Sequence, residues 1–366
     1  MQRILAVALG CTCAMEGGCA LIANYDFSSY KERPDDGAGG TTTNSAGGMM
    51  ASTSVGVGGA GGDSTSAAGG GGGAGGRSIL VLYEGQENPL SLAVDDTHVY
   101  WTTSNDFTQP DGQVRRASKN GGDIEDLKTG QTAPSSLSLN GESAYWFTTV
   151  EGNATIHRAT KSTGDSQPFF ASLEAMLGLA ASDQALYWTD LTNAIWRMSV
   201  NGASVVPIVL DQNNPSAVTV DATGIFWLNA GHVTMGDGEI MRADLLGANA
   251  GLLAGGQEYP LAIATDAANV YWTTLSGQVR TVAKDGANIV TNVEAAAQEP
   301  CNDVAVDGTD IYFTRGSDVL KVPIGGVGAS VIASTLVNSN RIEVDATSIY
   351  VTTTSAAGGS VLKISK

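Results

Sequence analysis

From Ile79 to the C-terminus, apolar and polar residues alternate in short runs. Leu92-Ala93-Val94 closes on Asp95, a polar turn follows, and Val99-Tyr100-Trp101-Thr102 opens the next run. A period of two puts one set of side chains on a buried face and predicts β-strands, and no helical period interrupts the order. The same unit returns as Leu137 to Trp146, Leu179 to Trp188, Val218 to Trp227, Ile263 to Trp272, Val304 to Phe313 and Ile342 to Val351. Its aromatic anchors are Tyr100, Tyr145, Tyr187, Phe226, Tyr271, Tyr312 and Tyr350, spaced 38 to 45 residues apart. A repeat of this length predicts propeller blades.

Each unit divides into four strands. Strand A is the alternating run that ends in Asp, and strand B is the aromatic and β-branched run after it. Strand C is an apolar-x-Arg/Lys unit such as Val114-Arg115-Arg116 or Ile195-Trp196-Arg197. A Gly-containing turn, as at Asn201-Gly202 or Asp285-Gly286, leads to a weaker strand D. The last unit stops after its third strand, and an unclaimed strand, Ile79–Tyr83, precedes the first. The expectation is therefore all-β: a seven-bladed β-propeller of four-stranded antiparallel blades over residues 78–366, closed by strand 79–83 joining the last blade.

Tyr187-Trp188-Thr189-Asp190 completes a tetrad that the other units carry in altered form. On these residues the repeats resemble the YWTD propellers of low-density-lipoprotein-receptor-type proteins, and more distantly NHL-type and TolB-type bacterial propellers. The resemblance implies the fold. It departs in blade number, since YWTD propellers usually have six blades and seven units are present here. It implies little about function, because propellers host many unrelated activities.

Ahead of the repeats, Arg3 is followed by the apolar run Ile4–Leu9, then Gly10 and Cys11. A positive residue, an apolar stretch and a small residue predict an export signal within residues 1–19. Leu9-Gly10-Cys11 resembles a bacterial lipobox, in which the cysteine carries the lipid, although Ala8 stands where leucine is usual. Gly17-Gly18-Cys19 is the rival, with Glu16 against it. The lipidation candidate is Cys11 or Cys19, and a plain cleaved signal is the alternative. Residues 20–36 form a tether. Residues 37–77 are rich in Gly, Ser and Thr and cannot bury enough apolar surface to offset chain entropy, which predicts a disordered linker.

Charge narrows the partners. Against 19 Lys and Arg stand 37 Asp and Glu, a net charge of −18. Such a field repels nucleic acid and anionic membrane surfaces. No nucleophile elbow, phosphate loop or zinc-protease helix occurs, so no catalytic residue, cofactor or metal is assigned. The clustered Cys11, Cys13 and Cys19 lack a fourth zinc ligand. Cys301 stands alone in the repeats, where a buried filler is expected over a reactive thiol. The three histidines, His98, His157 and His232, fall in different units.

Binding residues are expected where the repeat is broken. Two B–C connections are long, Thr103–Gly112 and Asn229–Gly238, and contribute Asn105, Asp106, Asp111 and His232 as candidates. Asn105, Asp106 and Asp111 offer oxygen ligands of the kind calcium takes, against a plain solvated loop. A recurrent Gln-x-x-Pro before strand A adds Gln86, Gln131, Gln212 and Gln257, with Gln298 in a shortened version, as residues of the channel mouth. These features favour an extracytoplasmic, lipid-anchored module that binds a protein or an envelope polymer through its loop-rich face. A monomer is expected. The alternatives are a lyase or hydrolase acting on a glycan or small molecule at the channel mouth, and a structural envelope component.

Overall fold

The computed structural model describes residues 77–232, 235–294, 299–355 and 358–366. The export signal, both candidate lipidation cysteines, the tether and nearly all of the linker lie outside the described residues, as does Gln298.

Among the described residues, twenty-eight strands form seven antiparallel four-stranded sheets. Blade 1 runs Pro89–Val94, His98–Thr103, Gly112–Ser118 and Glu125–Gln131 as strands A to D. Blades 2 to 6 span 135–171, 176–209, 215–257, 260–293 and 301–333. Blade 7 takes Ser339–Val344, Ser348–Thr353 and Gly359–Ser365 as A, B and C, and borrows Ile79–Gln86 as its D strand. The borrowed strand pairs from Ile79↔Ile364 to Gln86↔Gly359, so the predicted closure is present and extends three residues beyond Tyr83. Each A strand touches the A strands of both neighbouring blades, and the ring of contacts closes around a central channel.

The core lies between blades. Tyr100, Val114 and Leu127 of blade 1 pack on Leu137, Ala144 and Trp146 of blade 2. The same layer at the closure joins Tyr83, Tyr350 and Val361 of blade 7 to Leu92, Val99 and Trp101 of blade 1. Trp101, Trp146, Trp188, Trp227 and Trp272 are all fully buried. One large ring in each of blades 1 to 5, at one strand phase, is inter-blade packing.

Charged residues join the blades at the rim formed by the A–B and C–D turns. In Asp95, Asp307 and Asp345, Oδ1 accepts the backbone N–H groups two and three residues ahead. Oδ2 accepts the hydroxyl of the tyrosine five ahead. A lysine of the next blade then reaches the carboxylate: Lys161 to Asp95 at 3.1 Å, Lys366 to Asp307 at 2.6 Å, Lys119 to Asp345 at 2.8 Å, and Lys284 to Asp221. Where blades 2 and 3 have Asn140 and Ser182 instead of Asp, the following blades have Val200 and Leu245 instead of Lys. Charge is thus present or absent in both partners together, Asp266 opposite Ile324 excepted. The strand-C cations do not pair with this aspartate within their own blade. Arg116, Arg158, Arg242 and Lys363 instead donate to a backbone carbonyl of the next blade.

Candidate functional site

The B–C and D–A connections share the opposite rim, where the repeat is most irregular. Both long B–C loops are built alike. In blade 1, Asp111 accepts the Ser104 hydroxyl at 3.1 Å and the Asp106 N–H at 2.9 Å. In blade 4, Asp237 accepts the His232 N–H at 2.6 Å and meets His232 Nδ1 at 2.8 Å. Each aspartate therefore ties back the residue five before it, and each precedes the glycine that opens strand C. Those glycines, Gly112 and Gly238, leave no room for a Cβ, which would sit 2.5 Å from Pro134 Cδ and 2.6 Å from Pro260 Cδ of the next blade. Hydrogen bonds from the His232 backbone and ring lower the Asp237 carboxyl to about 2. Thr108 likewise lowers Asp106 through its hydroxyl and N–H. These carboxylates are turned onto their own loops. Among the described residues, no group of three or more His, Cys, Asp or Glu is arranged around a common point. Asn105 is exposed on the blade 1 loop.

The repeated glutamines are spent on the fold. Gln86, Gln131, Gln212 and Gln257 each accept the indole N–H of the next blade's tryptophan, Trp101, Trp146, Trp227 and Trp272, at 2.9, 3.3, 2.9 and 3.0 Å. Arg115 and Arg280 add a second donor to Gln86 and Gln257. Gln86, Gln131 and Gln257 are buried, so they pin adjacent blades together and do not stand free at the channel mouth.

The same rim exposes aliphatic side chains that the sequence reading passed over. Val150, Leu173, Leu191, Leu210 and Met235 project from blades 2, 3 and 4, with Leu173 87% and Met235 69% exposed. Backbone bonds link the segments that carry them. Ser172 N–H donates to Ala154 O, Leu191 to Ala175, Gln212 to Asn193, and Ala230 to Asn214. The five side chains thus stand on neighbouring, hydrogen-bonded connections that form a ridge of backbone across blades 2 to 4. On the rest of this rim, Val337 is the other large exposed aliphatic residue among the described residues. The signal in the sequence was an apolar residue inside a turn, where the strand pattern does not need one.

A second irregularity lies on strand A, the inner strand of each blade. Opposite the strand-B anchor, strand A carries Ala93, Ser138, Ala180, Thr219, Ala264 and Ala305, but Glu343 in blade 7. Two residues earlier, where five blades have Ser, Gly or Ala, blades 6 and 7 have Asp303 and Arg341. Asp303 accepts the Ile342 and Val304 N–H groups at 3.1 and 3.0 Å, and Arg341 Nε donates to Leu90 O at 2.9 Å. Side chains here bond the free inner edge of the next blade. Burial, with the neighbouring Asp303 carboxyl, pushes Glu343 up to about 8. Burial likewise raises Asp303, against the opposing pull of Arg341. A break in the small-residue pattern was the signal for all three.

The histidines do not converge. His98 contacts the Thr97 hydroxyl at 2.7 Å in an A–B turn. His157 stacks on Trp146 at 5.5 Å, and burial with nearby Lys128 lowers it to about 4. His232 belongs to the blade 4 loop. The Cys301 thiol is buried against Gly277 O at 3.3 Å, and burial pushes it up to about 12, where the nucleophilic thiolate is scarce.

No protein-family model matches this chain, and no curated protein matches it. Solved structures do. U3-55K is 12% identical at a TM-score of 0.64, covering 79% of this chain and 98% of that one. YCF48 from Cyanidioschyzon merolae is 13% identical at 0.60, covering 78% and 98%. The nidogen/laminin complex is 21% identical, covering 55% of this chain and 82% of that one, but its TM-score of 0.45 carries no argument for the YWTD type. At these identities the likeness is one of fold. The chain is a β-propeller.

Proposed function

We propose that this protein is a non-catalytic binding module that holds a protein partner on the loop rim of blades 2 to 4. The observation that carries the proposal is the ridge Val150, Leu173, Leu191, Leu210 and Met235. Five exposed aliphatic side chains on one hydrogen-bonded ridge of a soluble surface mark a docking site rather than scattered apolar exposure. The scattered histidines and the buried, protonated Cys301 favour binding over catalysis. The apolar run ending in Leu9-Gly10-Cys11 supports a lipid anchor outside the cytoplasm, and the Gly-rich segment supports a tether between anchor and propeller.

The test is affinity capture from cells that naturally make the protein. The full chain is run beside a Leu173→Ser/Leu191→Ser variant. The expected outcome is a partner retained by the first and lost by the second, with both proteins melting alike. Equal retention by both would remove the ridge from the account. The anchor is tested by metabolic labelling with a fatty-acid analogue, in which Cys11→Ser is expected to abolish incorporation and Cys19→Ser to leave it.

A second reading rests on Asp303, Arg341 and Glu343, which place polar, ionisable side chains among the small residues of the inner strands and suit a small polar solute. It requires that Arg341→Gln remove binding of that solute while capture on the ridge is unchanged.

A further inference from the structure

The two rims of this acidic propeller handle charge differently. The A–B/C–D rim carries Lys119, Lys161, Lys284 and Lys366, each within ion-pair distance of an aspartate of the preceding blade. No Lys or Arg occurs in any B–C or D–A connection, whereas Glu87, Glu151, Glu174, Asp211, Glu258 and Glu299 all do. The asymmetry is therefore local and does not follow from the net charge of the chain.

Three of these carboxylates sit beside the ridge residues themselves. Val150-Glu151, Leu173-Glu174 and Leu210-Asp211 are the same dipeptide pattern, an exposed aliphatic residue followed by an exposed acid. Glu151, Glu174 and Asp211 support no turn with their side chains, unlike Asp106, Asp111 and Asp237. Glu151 also adopts φ of 50°, where Gly, Asn or Asp is the ordinary choice, so turn geometry does not call for a glutamate there. Like charges held together on one surface repel, and a cationic partner relieves that repulsion as it docks.

We infer that the ridge takes a basic protein segment bearing aliphatic side chains, which seats its apolar groups on Val150, Leu173 and Leu191 and its Lys or Arg against Glu151, Glu174 and Asp211. This rests on the reading that the rim binds a protein. It goes further in naming the partner's chemistry, because a neutral polymer gains nothing from the carboxylates and an anionic one is repelled.

The test uses the full chain and three fluorescent peptides of equal length, alternating Leu with Lys, Gln or Glu. Binding is read by anisotropy at about 20 mM and about 300 mM salt, which changes screening between exposed charges severalfold. The Leu/Lys peptide is expected to bind. The ridge variant Glu151→Gln/Glu174→Gln/Asp211→Asn is expected to weaken it roughly tenfold, as three exposed charge pairs allow. The Leu173→Ser/Leu191→Ser variant is expected to weaken it as well. The control Asp96→Asn/Asp123→Asn/Glu142→Gln removes equal charge from the opposite rim and is expected to leave binding within twofold, a margin small beside the effect of three exposed pairs. Equal loss in that control, or no binding of the Leu/Lys peptide, would overturn the inference. Equal affinity for the Leu/Gln peptide, with the ridge charge variant silent, would also overturn it while leaving the ridge itself as a docking site. Loss of capture by the serine variant in cells then separates the two.

Discussion

At the scale of single residues, the fold depends on polar groups that only one neighbour can satisfy. Gln257 takes the Trp272 indole at 3.0 Å and Arg280 at 2.6 Å on one oxygen, in a buried joint between blades. Gln257→Leu leaves both donors without that acceptor and is expected to lower stability by about 1–3 kcal/mol in urea unfolding. Glu343 yields a prediction in pH. Its carboxyl is held near 8 in the folded protein against about 4.3 in an unfolded chain. The folded state then binds the extra proton between these values, so this residue subtracts stability progressively as pH rises from about 4.3 to 8. Glu343→Gln is expected to melt higher than the parent at pH 8 and alongside it at pH 4.5, checked by thermal scans; a gain that does not depend on pH would contradict the burial account. The glutamine joint was legible in part. Each glutamine lies 15 residues before its tryptophan, a constant interval in the sequence. The reading failed on direction: Gln-x-x-Pro looks the same whether the side chain faces the channel or the next blade.

At the scale of elements, strand order and blade number followed from period-two alternation and aromatic anchors, because both record which face is buried. The partner of each charged turn did not follow. The lysine belongs to the next blade, so the pairing shows only when successive repeats are compared. The closing strand is the element on which the ring depends. Without Ile79–Gln86, blade 7 loses its D strand and the blade 1 Trp101 indole loses its acceptor. Deletion of residues 79–86 is expected to replace cooperative unfolding with a broad, early transition and to promote aggregation through the bared strand edge. Moving residues 78–86 to follow Lys366 through a short turn is expected to restore the parent melt, since Ser78 and Ser365 already meet by a 3.1 Å backbone bond. A truncated chain that melts like the parent would show that closure contributes little.

At the scale of the molecule, the propeller separates two tasks. The lysine-paired rim and the tryptophan layers hold seven blades in a ring, and the loop rim keeps unpaired acids and exposed aliphatic side chains. The sequence located the irregular rim through its two long loops, but those loops turn their carboxylates on themselves. The exposed ridge sits on short connections, whose side-chain direction depends on how neighbouring blades pack and is not recorded in local pattern. The most direct test of the binding claim is photo-crosslinking in the native cell. A photoreactive residue is placed at Leu173 on the ridge, or at the exposed Ile289 on the opposite rim. The account predicts a discrete protein adduct from position 173 and none from 289. Adducts from 289 alone, or from both positions equally, would contradict it.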